Sequence, residues 1–280
     1  MTEATKHIAL VCPGGPISRD IAEKAGEIAA AAYGDRAKLY FHPQCFETAG
    51  HFAGDDARRS AAFLEVANDP AFDALWFARG GYGAGRLEDA LYGGLNDAAR
   101  AKTYLGYSDT GVILARLYAM KIGRPVHGPM PSELIGPDGA EGLRRALSFL
   151  VDGDAATLEP SARAGRPVVA FNITVLAHIV AADWFPDLAG HVVLLEDLGE
   201  YLYRIDRAMG TIMGARALQN VAGVKLGRVS DVPENDRPFG ADAEEIAQYW
   251  CTRVGVPYLG RADVGHDGAN KVVPFGLAAG

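Results

Sequence analysis

The stretch Thr103–Ala119, TYLGYSDTGVILARLYA, decides how the chain is read. Thr103–Leu105 reads as a short strand, Gly106-Tyr107-Ser108-Asp109 as a turn, and Thr110–Met120 as a helix with apolar residues at helical spacing. A strand feeding a helix through a tight turn is half of a strand–helix–strand unit, and the flanking sequence repeats it. Ile8–Cys12 is an apolar run ending in Pro13-Gly14-Gly15-Pro16, after which Ser18 caps a helix to about Tyr33. Lys38–Phe41, Asp73–Ala78 and Pro125–His127 read as strands, and Asp55–Asn68, Arg86–Leu91 and Leu143–Val151 as helices. Such alternation with short links predicts an α/β fold: a parallel sheet with helices on both faces. Ligands collect at the carboxyl ends of the strands in such sheets.

From Asp152 to Pro167 the periodicity lapses into Gly, Pro and Ala. The expected organisation is a parallel α/β domain over 1–151, a linker over 152–167, and a smaller mixed α/β domain over 168–280. In the second half, helices are expected at Asn172–Ala182, Asp206–Gln219 and Ala243–Arg253. Strands are expected at Val192–Leu195 and Val224–Arg228, with short strands in the Gly-rich tail 265–280.

A net charge of −8 gives no basic footprint for nucleic acid. The longest apolar stretch, Phe171–Phe185, carries Asn172, His178 and Asp183, and is too short and polar to span a bilayer. The N-terminus lacks the features of a secretory signal. Cys12, Cys45 and Cys251 are far apart and form no CxxC pair, which points to a reducing, cytoplasmic compartment.

Ser108 stands where a strand exits into a helix. The first N–H groups of a helix lack intrahelical partners and favour negative charge, as an oxyanion requires. The turn resembles a nucleophile elbow but has Thr110 in place of the second glycine; Ser108 or Asp109 also suits a plain N-cap. A nucleophilic serine needs a base and an orienting acid. His127, in PVHGPM, ends a strand of the same sheet; His266, in VGHDGAN, lies in a Gly-rich turn. Spacing does not choose between them, nor between Glu196 and Asp197, which close an apolar strand. RGGYGAGR (79–86) follows another strand; it does not match G-x-G-x-x-G, and Gly80 or Gly81 suits either a second oxyanion donor or a tight turn. PGGP reads as a structural turn. No H-E-x-x-H pattern marks a zinc site.

Together, PGGP, ARGGYGAGRL (78–87), LGYSD (105–109), HGPM (127–130), LLEDLGEYLYRIDR (194–207) and GHDGANKVVPFG (265–276) resemble the LD-carboxypeptidase family, which includes muropeptide-recycling enzymes and microcin C immunity peptidases. The strings occur in the family's order along nearly the whole chain. The resemblance implies Ser108 as nucleophile, Glu196 rather than Asp197 as triad acid, and His266 rather than His127 as base. It implies backbone oxyanion donors at Asp109 and at Gly81 or Gly80. Arg79 and Arg204 are candidates for pairing a substrate carboxylate. The implied substrate is a small peptide ending in a D-amino acid, with no metal or organic cofactor, and a homodimer is the family expectation.

Three features depart from the family. Ala170-Phe171-Asn172 replaces the usual GGN, so Phe171 is expected to reshape the pocket. The chain stops at Gly280, which suggests a trimmed second domain, and 152–167 is short for a substrate-covering loop. The competing readings are a microcin C-type peptidase cleaving a peptidyl-nucleotide amide, a general α/β-hydrolase acting on esters, and a non-catalytic muropeptide-binding homologue.

Overall fold

The computed structural model describes residues 4–87, 90–136 and 138–277. Its first half alternates β1 (Lys6–Val11), α1 (Arg19–Tyr33), β2 (Ala37–Phe41), α2 (Asp56–Asn68), β3 (Ala74–Phe77), α3 (Ala90–Gly93), α4 (Asp97–Ala101), β4 (Thr103–Gly106), α5 (Gly111–Ala119), β5 (Arg124–His127) and α6 (Gly139–Asp152). The second half contains β6 (Val168–Asn172), α7 (Ile173–Ile179), β7 (Val192–Leu198), α8 (Leu202–Gly214), β8 (Gly223–Ser230), α9 (Ala243–Val254), β9 (Tyr258–Arg261) and β10 (Val273–Pro274).

The fold is α/β with two sheets, ordered β10-β5-β4-β3-β1-β2 and β6-β7-β8-β9. Strands β1 to β5 pair in parallel, as the alternation predicts, and β10 closes the edge antiparallel to β5. The second sheet is parallel throughout. Strand order reverses at β1, which lies between β3 and β2. The Pro13–Pro16 turn after β1 and the Arg79–Gly83 loop after β3 therefore flank the switch point where such sheets open a ligand crevice.

Apolar side chains of both halves enter shared core clusters. Phe63, Phe77 and Leu114 pack in one cluster with Phe171, Leu195 and Met209; Leu10, Trp76 and Val126 pack in another with Val168, Leu194 and Val264. The tail ties the sheets together, since Val168 bridges Gly276 beside β10.

Some elements differ from expectation. Residues 84–86 form a 3-10 turn and the helix follows as α3, so the helix expected at Arg86–Leu91 is displaced; residues 88 and 89 lie outside the described set. β6 was hidden because VVAFN runs without a breaker into ITVLAHI. Asn172 is the hinge between them: its side chain accepts the Val175 amide and caps α7. The helix expected at Asp206–Gln219 begins a turn earlier, behind the positive φ of Gly199, and gives way to extended backbone at Ala215. No described helix is long and apolar enough to cross a membrane.

Candidate active site

Ser108 follows β4 and fully extended Tyr107, with φ +59°, in the left-handed region that side-chain-bearing residues seldom occupy. A strained residue at a strand exit points its side chain off the end of the sheet. The turn before it is tight. A Cβ at Gly106 would sit 2.7 Å from both the Phe77 ring and Thr110 Oγ1. Thr110, where an elbow usually has glycine, donates its hydroxyl to the Tyr107 carbonyl at 2.8 Å and so braces the turn.

His266 reaches this region from the other half of the chain. Its Nδ1 lies 2.5 Å from Glu196 Oε2, and its ring packs 4.6 Å from the Tyr107 ring, centroid to centroid. Glu196 is fully buried, and Oε1 has no partner among the described residues, so the carboxylate's hydrogen bonding is directed at the imidazole. Burial disfavours charge on His266, but the adjoining Glu196 carboxylate outweighs it, and the imidazole pKa is raised. With Nδ1 taken by Glu196, Nε2 remains for proton transfer. Ser108 and His266 line one cavity of about 500 Å³, together with Arg79, Gly80, Gly81, Tyr107 and Glu133.

Asp197 faces the opposite way. Its carboxylate accepts from Asn172 Nδ2 (2.9 Å), the Thr174 amide (3.0 Å) and the Thr174 hydroxyl (2.9 Å). It thus sits at the start of α7, where negative charge is favoured. Alternation along β7 separates the two acids.

His127 is buried beneath the site. Its Nε2 lies 3.1 Å from Asn270 Oδ1, which also accepts the Gly265 amide at 3.2 Å. Burial pulls its pKa down to about 3, so it is a neutral prop rather than a proton carrier. The His266 turn is pinned from several sides. Arg145 of α6 donates to the Gly268 and Asn270 carbonyls at 2.6 and 3.0 Å, and Arg228 of β8 pairs with Asp267.

The remaining candidates divide. Gly80 and Gly81 line the cavity, and Gly81 has φ +83°. Asp109 follows Ser108 directly, its carboxyl pKa raised by burial. Arg79 lines the cavity while donating to the Pro16 carbonyl at 2.7 Å. The structure does not bring Arg204 to this cavity: it borders a separate one with Thr174, His178 and Arg207, and lies within 3.4 Å of Glu200. Phe171 does not line the pocket. It is 1% exposed and packs edge-on to Phe275 in the core, on a strand buried along its whole length. Within 152–167, Leu158 bridges Val272, so this stretch packs on the tail. No group of three or more metal-ligating side chains occurs among the described residues.

Glu133 was missed by the sequence reading; its only local signal was a capping-box position after Met130, whose amide it accepts at 2.6 Å. Burial raises its carboxyl from an ordinary 4.5 to about 7. The folded chain thus keeps a proton that the unfolded chain releases between those values. This contribution to stability is full below pH 4.5 and is lost as pH rises through 7. Glu133→Gln is therefore expected to match wild type near pH 4.5 and to exceed it at about pH 8.5 by roughly 1–3 kcal/mol. Urea unfolding at the two pH values checks this; an equal difference at both would refute it.

The chain matches the LD-carboxypeptidase N-terminal domain over residues 8–128 and the LD-carboxypeptidase C-terminal domain over residues 167–280. It is 33% identical over 241 residues to a Synechocystis sp. protein named as a carboxypeptidase, covering 82% of this chain and 76% of the relative. It is 25% identical to the murein tetrapeptide carboxypeptidase of Pseudomonas aeruginosa, over 98% of this chain and 92% of the relative. Its fold is shared with muramoyltetrapeptide carboxypeptidase from Oxalobacter formigenes at a TM-score of 0.80 and 22% identity, covering 97% and 93% of the two chains. The chain belongs to the LD-carboxypeptidase family.

Proposed function

We propose that this peptidase is a cytoplasmic serine carboxypeptidase with a Ser108–His266–Glu196 triad. Its reaction is hydrolysis of the amide between an L-configured centre and a C-terminal D-amino acid, as in murein tetrapeptide losing D-alanine. The observation that carries the reading is the meeting, on one cavity, of a serine at positive φ and a histidine already tethered to a buried carboxylate.

In this reading Ser108 Oγ attacks the scissile carbonyl and His266 Nε2 takes its proton. Glu196 holds the tautomer and favours the imidazolium. N–H groups of Asp109 and of Gly80 or Gly81 receive the developing oxyanion, and Arg79 is the cation for the substrate's terminal carboxylate. His266 then protonates the leaving amine, and water releases the acyl group from Ser108. The three free cysteines, all buried, are in keeping with a reducing compartment.

Chromatography of products from a synthetic L,D-tetrapeptide tests the reading, with an ester and a peptidyl-adenylate as comparators. Release of the D-amino acid from the tetrapeptide is the expected result. Turnover confined to either comparator would overturn the substrate, and none at all would overturn the enzyme.

A further inference from the structure

Arg59 on α2 is fully buried, yet it takes no part in the chemistry described above. Its Nη1 donates to two backbone carbonyls on different loops, Pro13 in the turn after β1 and Gly83 in the loop after β3, the latter at 2.8 Å. Its guanidinium lies 4.8 Å from the centre of the Phe52 ring, and Nη2 pairs with Asp56 one turn back on the same helix. Asp56 also takes Arg86, at the far end of the same glycine loop, at 3.0 Å. The first turn of α2 therefore grips the loop at both Gly83 and Arg86.

The two loops have no slack between them. A Cβ at Gly14 would lie 2.2 Å from the Gly81 carbonyl oxygen and 2.6 Å from that of Gly80. Gly81 and Gly83 both have positive φ, so their peptide planes can turn at little steric cost unless something holds them. Arg59 holds the Gly83 carbonyl, and through Pro13 it holds the turn packed against Gly80 and Gly81. We propose that Arg59 is a positioning residue that fixes the orientation of the Gly80–Gly83 peptides, and hence of the oxyanion donor they present to Ser108. The proposal rests on the reading of Ser108 as nucleophile.

Arg59→Met keeps the length and removes the donors. In the full chain it is expected to lower kcat for the tetrapeptide about 10²–10³-fold, the usual loss for a missing oxyanion donor, while KM changes less than about threefold. Phosphonylation of Ser108 by a fluorophosphonate, which also develops charge on an oxygen beside the serine, slows in parallel. Arg59→Lys, which retains a cation and reaches one carbonyl, recovers about tenfold of the loss. If Arg59→Met does not fold, Arg59→Lys is read against wild type: an approximately tenfold or greater fall in kcat at unchanged KM supports the proposal. A folded variant with kcat and phosphonylation within about threefold of wild type overturns it, as does a loss confined to KM. A wild-type chain that neither turns over tetrapeptide nor reacts at Ser108 would instead remove the nucleophile reading, and this proposal with it.

Discussion

Ser108→Ala is expected to lower kcat by about 10⁴–10⁶-fold, the range typical of triad nucleophiles, with little change in fold. The loss is large because neither flanking residue substitutes for the hydroxyl: Tyr107 is buried with its phenol pKa well above the usual range, and Asp109 offers a carboxyl whose pKa burial raises. The fold survives because alanine inherits the same backbone strain at φ +59° and the change removes one oxygen from a half-buried residue. Ser108→Gly supplies an internal control. It is equally inactive, but glycine meets no penalty in the left-handed region, so it should be more stable than Ser108→Ala by about 1 kcal/mol. Steady-state kinetics, mass spectrometry after fluorophosphonate treatment and thermal unfolding check the three statements. More than about one part in a hundred of wild-type kcat in folded Ser108→Ala, far outside the range for triad residues, would show that the nucleophile lies elsewhere.

The sequence made the strand exits legible and left their long-range pairings obscure. β1, β3 and β4 could be read because each apolar run stops at a Gly-rich or polar turn, and the turns after β3 and β4 border the cavity. β6 could not, because Val168–Asn172 continues into an apolar helix and the break between them is one capping asparagine. β9 is a short, half-exposed edge strand with little apolar signal. His127 and His266 looked alike as residues near strand ends or turns; the choice came from resemblance. What separates them physically is tertiary: His127 is sealed under Tyr107 with Asn270, whereas His266 has a carboxylate partner and opens on the cavity. Glu133 and Arg59 were invisible for the same reason. Each has an ordinary helical or turn context, and its role arises only when loops distant in sequence close over it.

Glu196→Gln and Asp197→Asn, neighbouring changes of the same kind, are expected to fail in different ways. Glu196→Gln removes the charge beside His266 and permits the wrong tautomer, so kcat should fall about 10⁴-fold. Its pH profile should move as well. His266 must be neutral to accept the serine proton, so activity is lost as pH falls through its pKa. Glu196 raises that pKa against the effect of burial; without it, burial is opposed only by the weaker pull of the Glu133 and Asp197 carboxyls, and the acid limb of kcat/KM shifts to lower pH. Stability carries the matching sign. The raised pKa contributes stability that is full below the ordinary histidine value of 6.5 and is lost as pH rises through the folded value, so Glu196→Gln should lose most stability on the acid side. Asp197→Asn leaves the imidazole pair intact. It sets an amide among donors from Asn172, Thr174 and Leu198, so it should cost about 1–3 kcal/mol of stability and less than about tenfold in kcat, far short of what loss of a triad member brings. Kinetics across pH 5–9 with parallel urea unfolding separate the two patterns. Should Asp197→Asn abolish turnover while Glu196→Gln spares it, the acid has been assigned to the wrong carboxylate, and the tether seen between Glu196 and His266 is structural.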